Sequence, residues 1–234
     1  ESRKTEEGAV MKKFLFIVAA LLLVALSGAL ISCNVVWAEI PDADLTFDEM
    51  VSDKITQEDW QNILSEAEDV LNYRVKSETE DLGYHSCIIS EICGGRKRNV
   101  ETRTNLEGES KKWKKELFVY EYSDENGNYR ITYDGDGKWQ KEDWFLPVGN
   151  LYHEIIWAVD TYLRLQSGDE YELIWNEEKQ GYFCEIDNFY CIFKIKDGKL
   201  CALEDYIKGD DEAIETFIFY DYGEVDEIVL PSVD

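Results

Sequence analysis

The sequence predicts an α+β fold, in which a curved antiparallel meander β-sheet carries an N-terminal and a mid-chain helix on one face. Two segments place apolar residues at helical spacing, and most of the remaining chain alternates apolar and polar residues between tight-turn dipeptides. Strands that follow one another through short turns form a meander, and the helices between them pack on one of its faces. The 234 residues are 44% hydrophobic and 13% aromatic, which is enough for the core of one domain.

The N-terminal region has the pattern of an export signal. Met11 and two lysines precede an apolar run from Phe14 to Ile31, and these are the charged and apolar regions of a secretory signal peptide. The ten residues before Met11 do not fit the front of such a signal. We therefore interpret residues 1–10 as the product of an over-extended reading frame and residues 11–38 as a signal peptide.

Three ways of processing this signal remain open. The sequence Val36-Trp37-Ala38 has small residues at the positions that signal peptidase I requires, which predicts cleavage after Ala38. Leu30-Ile31-Ser32-Cys33 instead resembles a relaxed lipobox, in which Cys33 is acylated. The apolar run is also about long enough to remain as a membrane anchor. Each alternative predicts a bacterial protein whose folded domain lies outside the cytoplasmic membrane, with membrane contact only through the N-terminal segment.

Residues 39–55 are acidic and weakly patterned and are predicted to be a linker, so that a single folded domain spans residues 56–234. The first element of this domain is a helix that begins with Thr56 and Asp59 at the spacing of a capping box. An apolar stripe follows at helical spacing and is predicted to pack on the core. It comprises Trp60, Ile63, Leu64, Ala67, Val70 and Leu71.

A first strand is predicted from Tyr73 to Glu80, and two cysteines follow it. In an exported protein, a loop closed by a Cys87–Cys93 disulfide is the plain interpretation. The alternative is a metal site that combines these cysteines with His85, although three ligands at such loose spacing do not match structural zinc sites. The basic residues 96–98 are predicted to lie in a solvated loop, with contact to the cell-wall polyanion as the alternative.

The strongest turn signal is Asn126-Gly127, a dipeptide that tolerates the positive φ angles of a two-residue type I′ turn. A turn at this position pairs Tyr122 with Ile131 and Tyr120 with Tyr133. One face of the hairpin then carries large apolar side chains, namely Phe118, Tyr120, Tyr122, Tyr129, Ile131 and Tyr133. The acidic residues that follow place no glutamate at the twelfth position of a calcium-binding loop, so turn chemistry rather than a metal site is predicted there.

The second half of the chain begins with a helix and continues as strands. Asn150 is a suitable N-cap for an apolar stripe that comprises Tyr152, Ile155, Ile156, Val159, Tyr162 and Leu163. From Tyr171 onward, tight turns join strands up to a last strand over Val225–Leu230. The turn at residues 187–188 places Cys184 across from Cys191, and a disulfide between them is geometrically possible. Cys201 is then left as a buried free thiol.

Several of these features together resemble the LolA/LppX lipoprotein fold. They are the amphipathic helix that runs into strands, the aromatic hairpin, the segment DGDGKW (residues 134–139), the mid-chain helix and the terminal YDYGEVDEIVLP (residues 220–231). The resemblance covers about residues 56–231, and residues 81–112 depart from the pattern. It implies a strongly curved sheet that wraps helices and leaves an apolar cavity, which in several branches holds acyl chains.

The predicted function is non-catalytic binding of a hydrophobic or amphiphilic ligand, such as a lipid, in a half-barrel cavity. The net charge of −26 repels phosphate backbones, so nucleic-acid binding is not expected. Neither a cofactor nor a metal is predicted. The residues predicted to contact the ligand are aromatic, namely Tyr120, Tyr122, Tyr133, Trp139 and Trp157.

Two other functions remain as alternatives. One is an envelope-associated scaffold protein that acts through its acidic surface. The other is an extracellular hydrolase, but the sequence contains no nucleophile elbow, paired metal-ligand motif or phosphate loop. Surface carboxylates are abundant enough for a glycosidase-like pair, yet the sequence does not single out one pair.

Overall fold

A computed structural model describes residues 40–81, 83–105, 114–133, 138–167 and 171–233. These residues contain two α-helices, α1 (Gln57–Ala67) and α2 (Trp157–Ser167), and a π-helical turn (Tyr152–Ile156) leads into α2. They also contain eleven strands: β1 (Asn72–Asp81), β2 (Tyr84–Cys93), β3 (Arg96–Asn105), β4 (Lys114–Asp124), β5 (Gly127–Tyr133), β6 (Trp139–Trp144), β7 (Ile174–Asn176), β8 (Gly181–Ile186), β9 (Phe189–Lys196), β10 (Lys199–Ile207) and β11 (Glu215–Tyr220). The predicted leader, signal peptide, lipidation site at Cys33 and turn at residues 134–137 lie outside the described residues.

The strands form one open antiparallel sheet in the order β6-β5-β4-β3-β2-β1-β11-β10-β9-β8-β7. Each half of this sheet is a meander of strands that are neighbours in sequence. The two halves join where β1 pairs with β11, which places Val75 opposite Phe219. The predicted α+β class, with a meander sheet and one helix from each predicted region, is therefore confirmed.

Both helices pack on the same face of the sheet, which we call the helix face. The α1 capping box is present, because the Thr56 hydroxyl accepts a hydrogen bond from the Asp59 amide and the Asp59 carboxylate accepts one from the Thr56 amide. The helix ends at Ala67, so Leu71 is not part of it and is 44% exposed. Apolar side chains from both helices and from β1, β2 and β8–β11 form the main core, which includes Trp60, Ile63, Leu64, Ile156, Val159, Leu163, Tyr73, Ile92, Phe193 and Phe219.

The opposite, outer face of the sheet is partly covered by the two ends of the described chain. The N-terminal segment (residues 40–55) buries Phe47 in a small cluster with Ile192, Ala202 and Tyr206. The predicted linker is therefore wrong for residues 40–55, which belong to the same compact unit as the rest of the domain. The apolar residues of this segment have no helical or alternating period because the segment is irregular and packs on the sheet at separate points such as Phe47.

The C-terminal segment (residues 221–233) covers another part of the outer face. Its Ile228 is 5% exposed and packs with Tyr120 and Ile131. Asn72 fixes the start of the segment, since its side-chain amide donates to the Val225 carbonyl at 2.8 Å and its oxygen accepts from the Val225 amide at 2.9 Å. The predicted last strand over Val225–Leu230 is not formed. Residues 225–230 instead bond to the sheet through the side chains of Asn72 and Arg96, which contact the Val225 main chain and the Ile228 carbonyl.

The β4–β5 hairpin has the predicted faces but not the predicted register. Tyr122 lies opposite Tyr129 and Tyr120 opposite Ile131, so the turn residues are 125 and 126. The Asp124 carboxylate accepts hydrogen bonds from the amides of Asn126 (2.7 Å) and Gly127 (3.2 Å), which closes the turn one residue earlier than the Asn-Gly dipeptide suggests. Each pairing moves by two residues, and an even shift leaves the side chains on their predicted faces.

The predicted Cys87–Cys93 disulfide is wrong. Both cysteines lie on β2, six residues apart, and both are free thiols. At about 3.3 Å per residue, their Cα atoms are roughly 20 Å apart, whereas a disulfide needs about 4.4–6.8 Å. The Gly94-Gly95 dipeptide, with φ angles of +57° and +79°, turns the chain from β2 into β3 instead of closing a loop.

The basic residues 96–98 are likewise not a solvated loop. They begin β3, where Arg96 lies opposite Cys93 and Arg98 lies opposite Glu91. The Arg98 side chain is only 14% exposed and pairs with Glu91 at 2.6 Å. Sequence reasoning missed this partner because Glu91 and Arg98 become neighbours only when the hairpin forms.

Candidate functional site

Four of the five aromatic residues predicted to bind a ligand come together on the outer face. Trp139 links them, since its ring centroid is 5.4 Å from that of Tyr120 and 5.2 Å from that of Tyr133, and Tyr122 belongs to the same cluster. Their exposed side is covered by Ile228, Leu230 and Val233 of the C-terminal segment. The aromatic face is thus packed against the chain's own C-terminal segment.

Trp157 does not join this cluster. It begins α2 on the other side of the sheet and is 56% exposed. The residues that pack α2 on the core are Val159 and Leu163. Trp157 is not one of the residues of the apolar stripe that packs this helix, and the structure gives it no shared surface with Tyr120.

A cavity of about 510 Å³ lies between the N-terminal segment and the outer face of β10 and β11. We call it the outer-face cavity. Residues from both sides line it, and none of the five predicted aromatic residues is among them. The lining residues are Pro41, Asp42, Ala43, Asp44, Leu45, Glu49, Met50, Val51, Lys196, Cys201, Ile218, Phe219, Tyr220 and Asp221.

Strand alternation explains the sheet side of this cavity. Phe217 and Phe219 point toward the helix face and pack on the main core, so Ile218 and Tyr220 point to the outer face. Cys201 lies at a β-bulge, where the register shifts between Leu200 and Ala202. The bulge leaves Cys201 without a cross-strand partner and directs its thiol to the cavity side, where it bonds the Lys194 carbonyl at 3.2 Å.

Lys194 fixes the N-terminal segment that covers the cavity. Its ammonium donates to the carbonyls of Phe47 (2.6 Å) and Met50 (2.8 Å) and lies 3.9 Å from the centre of the Phe47 ring. The residue is 1% exposed. Burial lowers the pKa of Lys194, because the ammonium loses water that two carbonyls replace only in part.

Further contacts hold both ends of the N-terminal segment. Ser52 forms a pair of hydrogen bonds with the main chain of Ile195, accepting at 2.9 Å and donating at 3.2 Å. The Asp53 carboxylate accepts from Lys196 and from the Asp197 amide, both at 2.8 Å. At the other end, the Tyr220 hydroxyl donates to the Pro41 carbonyl at 2.7 Å. The cavity is therefore roofed by a segment that is fixed on both sides of its opening.

A buried ion network supports the edge of the cavity beside Asp221. Arg74 contacts Asp221 and also donates to Glu91 at 2.9 Å, and Glu91 in turn accepts from Arg98 at 2.6 Å. The side chains of Arg74, Glu91 and Arg98 are 13%, 9% and 14% exposed. Removing one member of such a network leaves an uncompensated buried charge, at a cost of about 3–5 kcal/mol.

The cavity offers no activated nucleophile among the described residues. Burial raises the pKa of the Cys201 thiol to about 11, so that this thiol is protonated at neutral pH. Burial also raises the pKa of the Tyr220 hydroxyl. No three His, Cys, Asp or Glu side chains in the described part of the chain are grouped so as to hold a metal ion.

A pair of carboxylates lies elsewhere, on the helix face. Asp205 of β10 lies opposite Glu215 of β11, and Glu215 accepts a hydrogen bond from the Ser77 hydroxyl at 2.9 Å. Burial and then the charge of Glu215 raise the pKa of Asp205 to about 6. Sequence reasoning could not nominate this pair, because the two residues are joined only by the pairing of β10 with β11.

The two remaining predicted cysteines are placed as expected. Cys184 lies directly opposite Cys191, and both side chains are buried on the helix face. Both are free thiols in this structure. A hydrogen bond between them and burial raise the pKa of Cys191 well above that of an ordinary thiol. The predicted proximity is confirmed, and the disulfide itself stays a prediction.

No helix in the described ranges has both the length and the apolar composition needed to cross a bilayer. Comparison of the chain with protein-family models, with curated proteins and with solved structures gives no match.

Proposed function

We propose that this protein binds an apolar or amphiphilic ligand without catalysing a reaction, and that the outer-face cavity is the binding site. The observation that carries the proposal is the cavity itself, whose volume of about 510 Å³ is that of a small-molecule site. Its apolar lining includes Leu45, Met50, Val51 and Ile218. Two of these, Leu45 and Val51, are 50% and 56% exposed, so a bound chain would cover apolar surface that now faces water.

The proposed ligand class agrees with the resemblance to LolA/LppX proteins, but the proposed site differs. That resemblance implies a cavity between the sheet and its helices. In this chain the corresponding space is packed with core side chains such as Trp60 and Phe193, whose ring centroids are 5.1 Å apart. We therefore keep the class of ligand and assign it to the outer face. An extracellular or envelope location, which follows from the signal-like N-terminus, is part of the same proposal.

A fluorescent probe with a neutral head group and a long apolar chain tests this function. The full-length protein is expressed with its N-terminal region and used as the host processes it. Val51→Trp places an indole at the mouth of the cavity and should weaken probe binding at least about tenfold, which corresponds to 1.4 kcal/mol. Val229→Trp is the matched control, because Val229 is similarly exposed (61%) but lies on the C-terminal segment.

Two outcomes would contradict the proposal. One is the absence of saturable binding to the wild-type protein. The other is equal loss of binding in both tryptophan variants, which would place the probe away from the cavity. Leu45→Asp provides a second cavity variant with a different chemistry, since it introduces a charge at a half-exposed lining position.

An envelope scaffold remains the alternative function, and one feature favours it. The loop after β6 presents Phe145 and Leu146, which are 75% and 52% exposed. Exposed apolar residues of this size are common at protein-interaction sites. A scaffold is expected to keep its activity in the Val51→Trp variant and to lose it in a Phe145→Ser variant, whereas the proposed ligand binder shows the opposite dependence.

A further inference from the structure

We infer that the outer-face cavity selects a cationic amphiphile, with the apolar chain inside and a single positively charged head group at the mouth. This inference rests on the proposed function, because it assigns the ligand class of the same site. It follows from the charges around the mouth, from one aromatic ring and from the field of the whole protein.

The charged side chains that line the cavity are four carboxylates and one ammonium, namely Asp42, Asp44, Glu49, Asp221 and Lys196. Three of them already have partners of opposite charge. Asp42 pairs with Lys76 at 3.2 Å, Asp221 pairs with Arg74, and Lys196 pairs with Asp53 at 2.8 Å. Lys196 therefore offers little attraction to an anionic head group.

Asp44 and Glu49 remain without a cationic partner among the described residues. Both are exposed and lie on the N-terminal segment at the cavity. Glu49 accepts hydrogen bonds from the Thr46 amide (2.9 Å) and the Thr46 hydroxyl (2.8 Å), and these bonds lower the pKa of its carboxyl. Glu49 is thus held ionised, and the net charge of the mouth after local pairing is negative.

Tyr220 supplies the aromatic surface at the same site. Its hydroxyl donates to the Pro41 carbonyl at 2.7 Å, which fixes the phenol beside the N-terminal segment. The burial that raises its pKa keeps this hydroxyl a neutral donor. The face of a tyrosine ring attracts organic cations, and quaternary ammonium groups in particular are recognised by aromatic side chains.

The charge of the whole chain acts in the same direction. A net charge of −26 raises the local concentration of cations and lowers that of anions around the protein. An anionic head group would have to approach Asp44 and Glu49 against this field. Charge complementarity at the mouth therefore favours an ammonium head group over a phosphate, sulfate or carboxylate.

Three probes that share a dodecyl chain test this selectivity: dodecyltrimethylammonium, dodecyl maltoside and dodecyl sulfate. Each competes with the neutral fluorescent probe for the full chain, below its micelle concentration and at low salt. We expect the cationic probe to bind about tenfold more tightly than the anionic one. The difference should shrink at high salt, because exposed charges at the mouth are screened.

Two pairs of variants separate the mouth from the general surface charge. Asp44→Asn with Glu49→Gln should reduce the preference for the cationic probe to less than about threefold, because Coulomb attraction at the mouth is lost. Asp210→Asn with Glu212→Gln removes the same two kinds of charge from the exposed β10–β11 loop and should leave the preference unchanged. In the Val51→Trp variant an indole obstructs the cavity, so any binding of the cationic probe that remains takes place outside it.

The outcomes distinguish this inference from the proposed function. Equal displacement by all three probes, or tighter binding of dodecyl sulfate, would overturn the cation selectivity and leave the cavity as a binding site. Cationic binding that persists in Val51→Trp would also overturn it, because the attraction would then be to the acidic surface at large. Failure of every probe to bind would overturn the proposed function as well.

Discussion

Replacement of Asp205 by asparagine should stabilise the protein at neutral pH. Burial beside Glu215 raises the pKa of Asp205 from 3.8 to about 6. When folding raises the pKa of a carboxyl, the protein loses stability as the pH increases from the pKa of the unfolded state to the pKa of the folded state. A rise of about two units at 1.36 kcal/mol per unit sets a ceiling of about 3 kcal/mol. We expect about 1–2 kcal/mol, because Asp205 keeps partial contact with water.

Urea unfolding of the wild type and of Asp205→Asn across pH 5 to 8 measures this contribution. The variant should be more stable by the full amount at pH 8, and linkage predicts that the difference falls to roughly half by pH 5. Asp210→Asn is the matched control, because Asp210 is exposed in the loop after β10. Parallel pH profiles for the wild type and Asp205→Asn would refute the burial of Asp205 and, with it, the β10–β11 register that places Asp205 opposite Glu215.

Three further predictions concern the core, the N-terminal segment and the cysteines. Trp60→Ala should lower the free energy of unfolding by about 3–5 kcal/mol, measured by urea unfolding, because this α1 side chain is fully buried against the sheet. A loss below 1 kcal/mol would contradict its place in the core. Lys194→Met should cost about 1–3 kcal/mol through two lost hydrogen bonds and should speed hydrogen exchange at residues 52 and 53, whereas Lys208→Met should leave that exchange unchanged. Refolding of the reduced chain in a glutathione redox buffer should cross-link Cys184 with Cys191, since folding brings these residues opposite each other on β8 and β9, with Cα atoms about 5.5 Å apart; peptide mapping of the refolded protein that finds Cys87 linked to Cys93 instead would contradict the β2 strand.

Local signals in the sequence were sufficient for most elements of the fold. The Thr56–Asp59 capping box and the following apolar stripe predicted α1, because these interactions lie within a few residues of each other. The Asp197-Gly198 dipeptide is a turn signal of the same local kind, and with φ angles of +50° and +73° it joins β9 to β10 and pairs Ile195 with Leu200. The same turn reasoning placed Cys184 opposite Cys191.

Errors arose where a distant partner or a competing side chain decided the structure. The Asp124 carboxylate, by bonding two turn amides, moved the β4–β5 register away from the one that Asn126-Gly127 suggested. Gly94 and Gly95 form the turn of the β2–β3 hairpin, whereas the sequence interpretation placed a disulfide-closed loop immediately before them. Neither effect is visible in hydrophobic alternation, which is identical for the predicted and the observed hairpin registers.

The candidate site was missed for a similar reason. The N-terminal segment has a linker-like composition, and its role depends on Lys194, which follows Phe47 by 147 residues. The one local signal was Lys194 itself, a lysine between Phe193 and Ile195 within the apolar part of β9 (FYCIFKIK). A buried lysine requires polar partners, and in this fold those partners are the carbonyls that hold the cavity roof.

Native mass spectrometry of the protein purified from the envelope of an expressing bacterium tests the central claim most directly. If the outer-face cavity binds an amphiphile, the protein carries a bound species of amphiphile mass that is released on denaturation, is retained in Val229→Trp and is lost in Val51→Trp. A bare polypeptide mass for all three proteins, under conditions that preserve other non-covalent complexes, would contradict ligand binding at the outer-face cavity and move the scaffold function to first place.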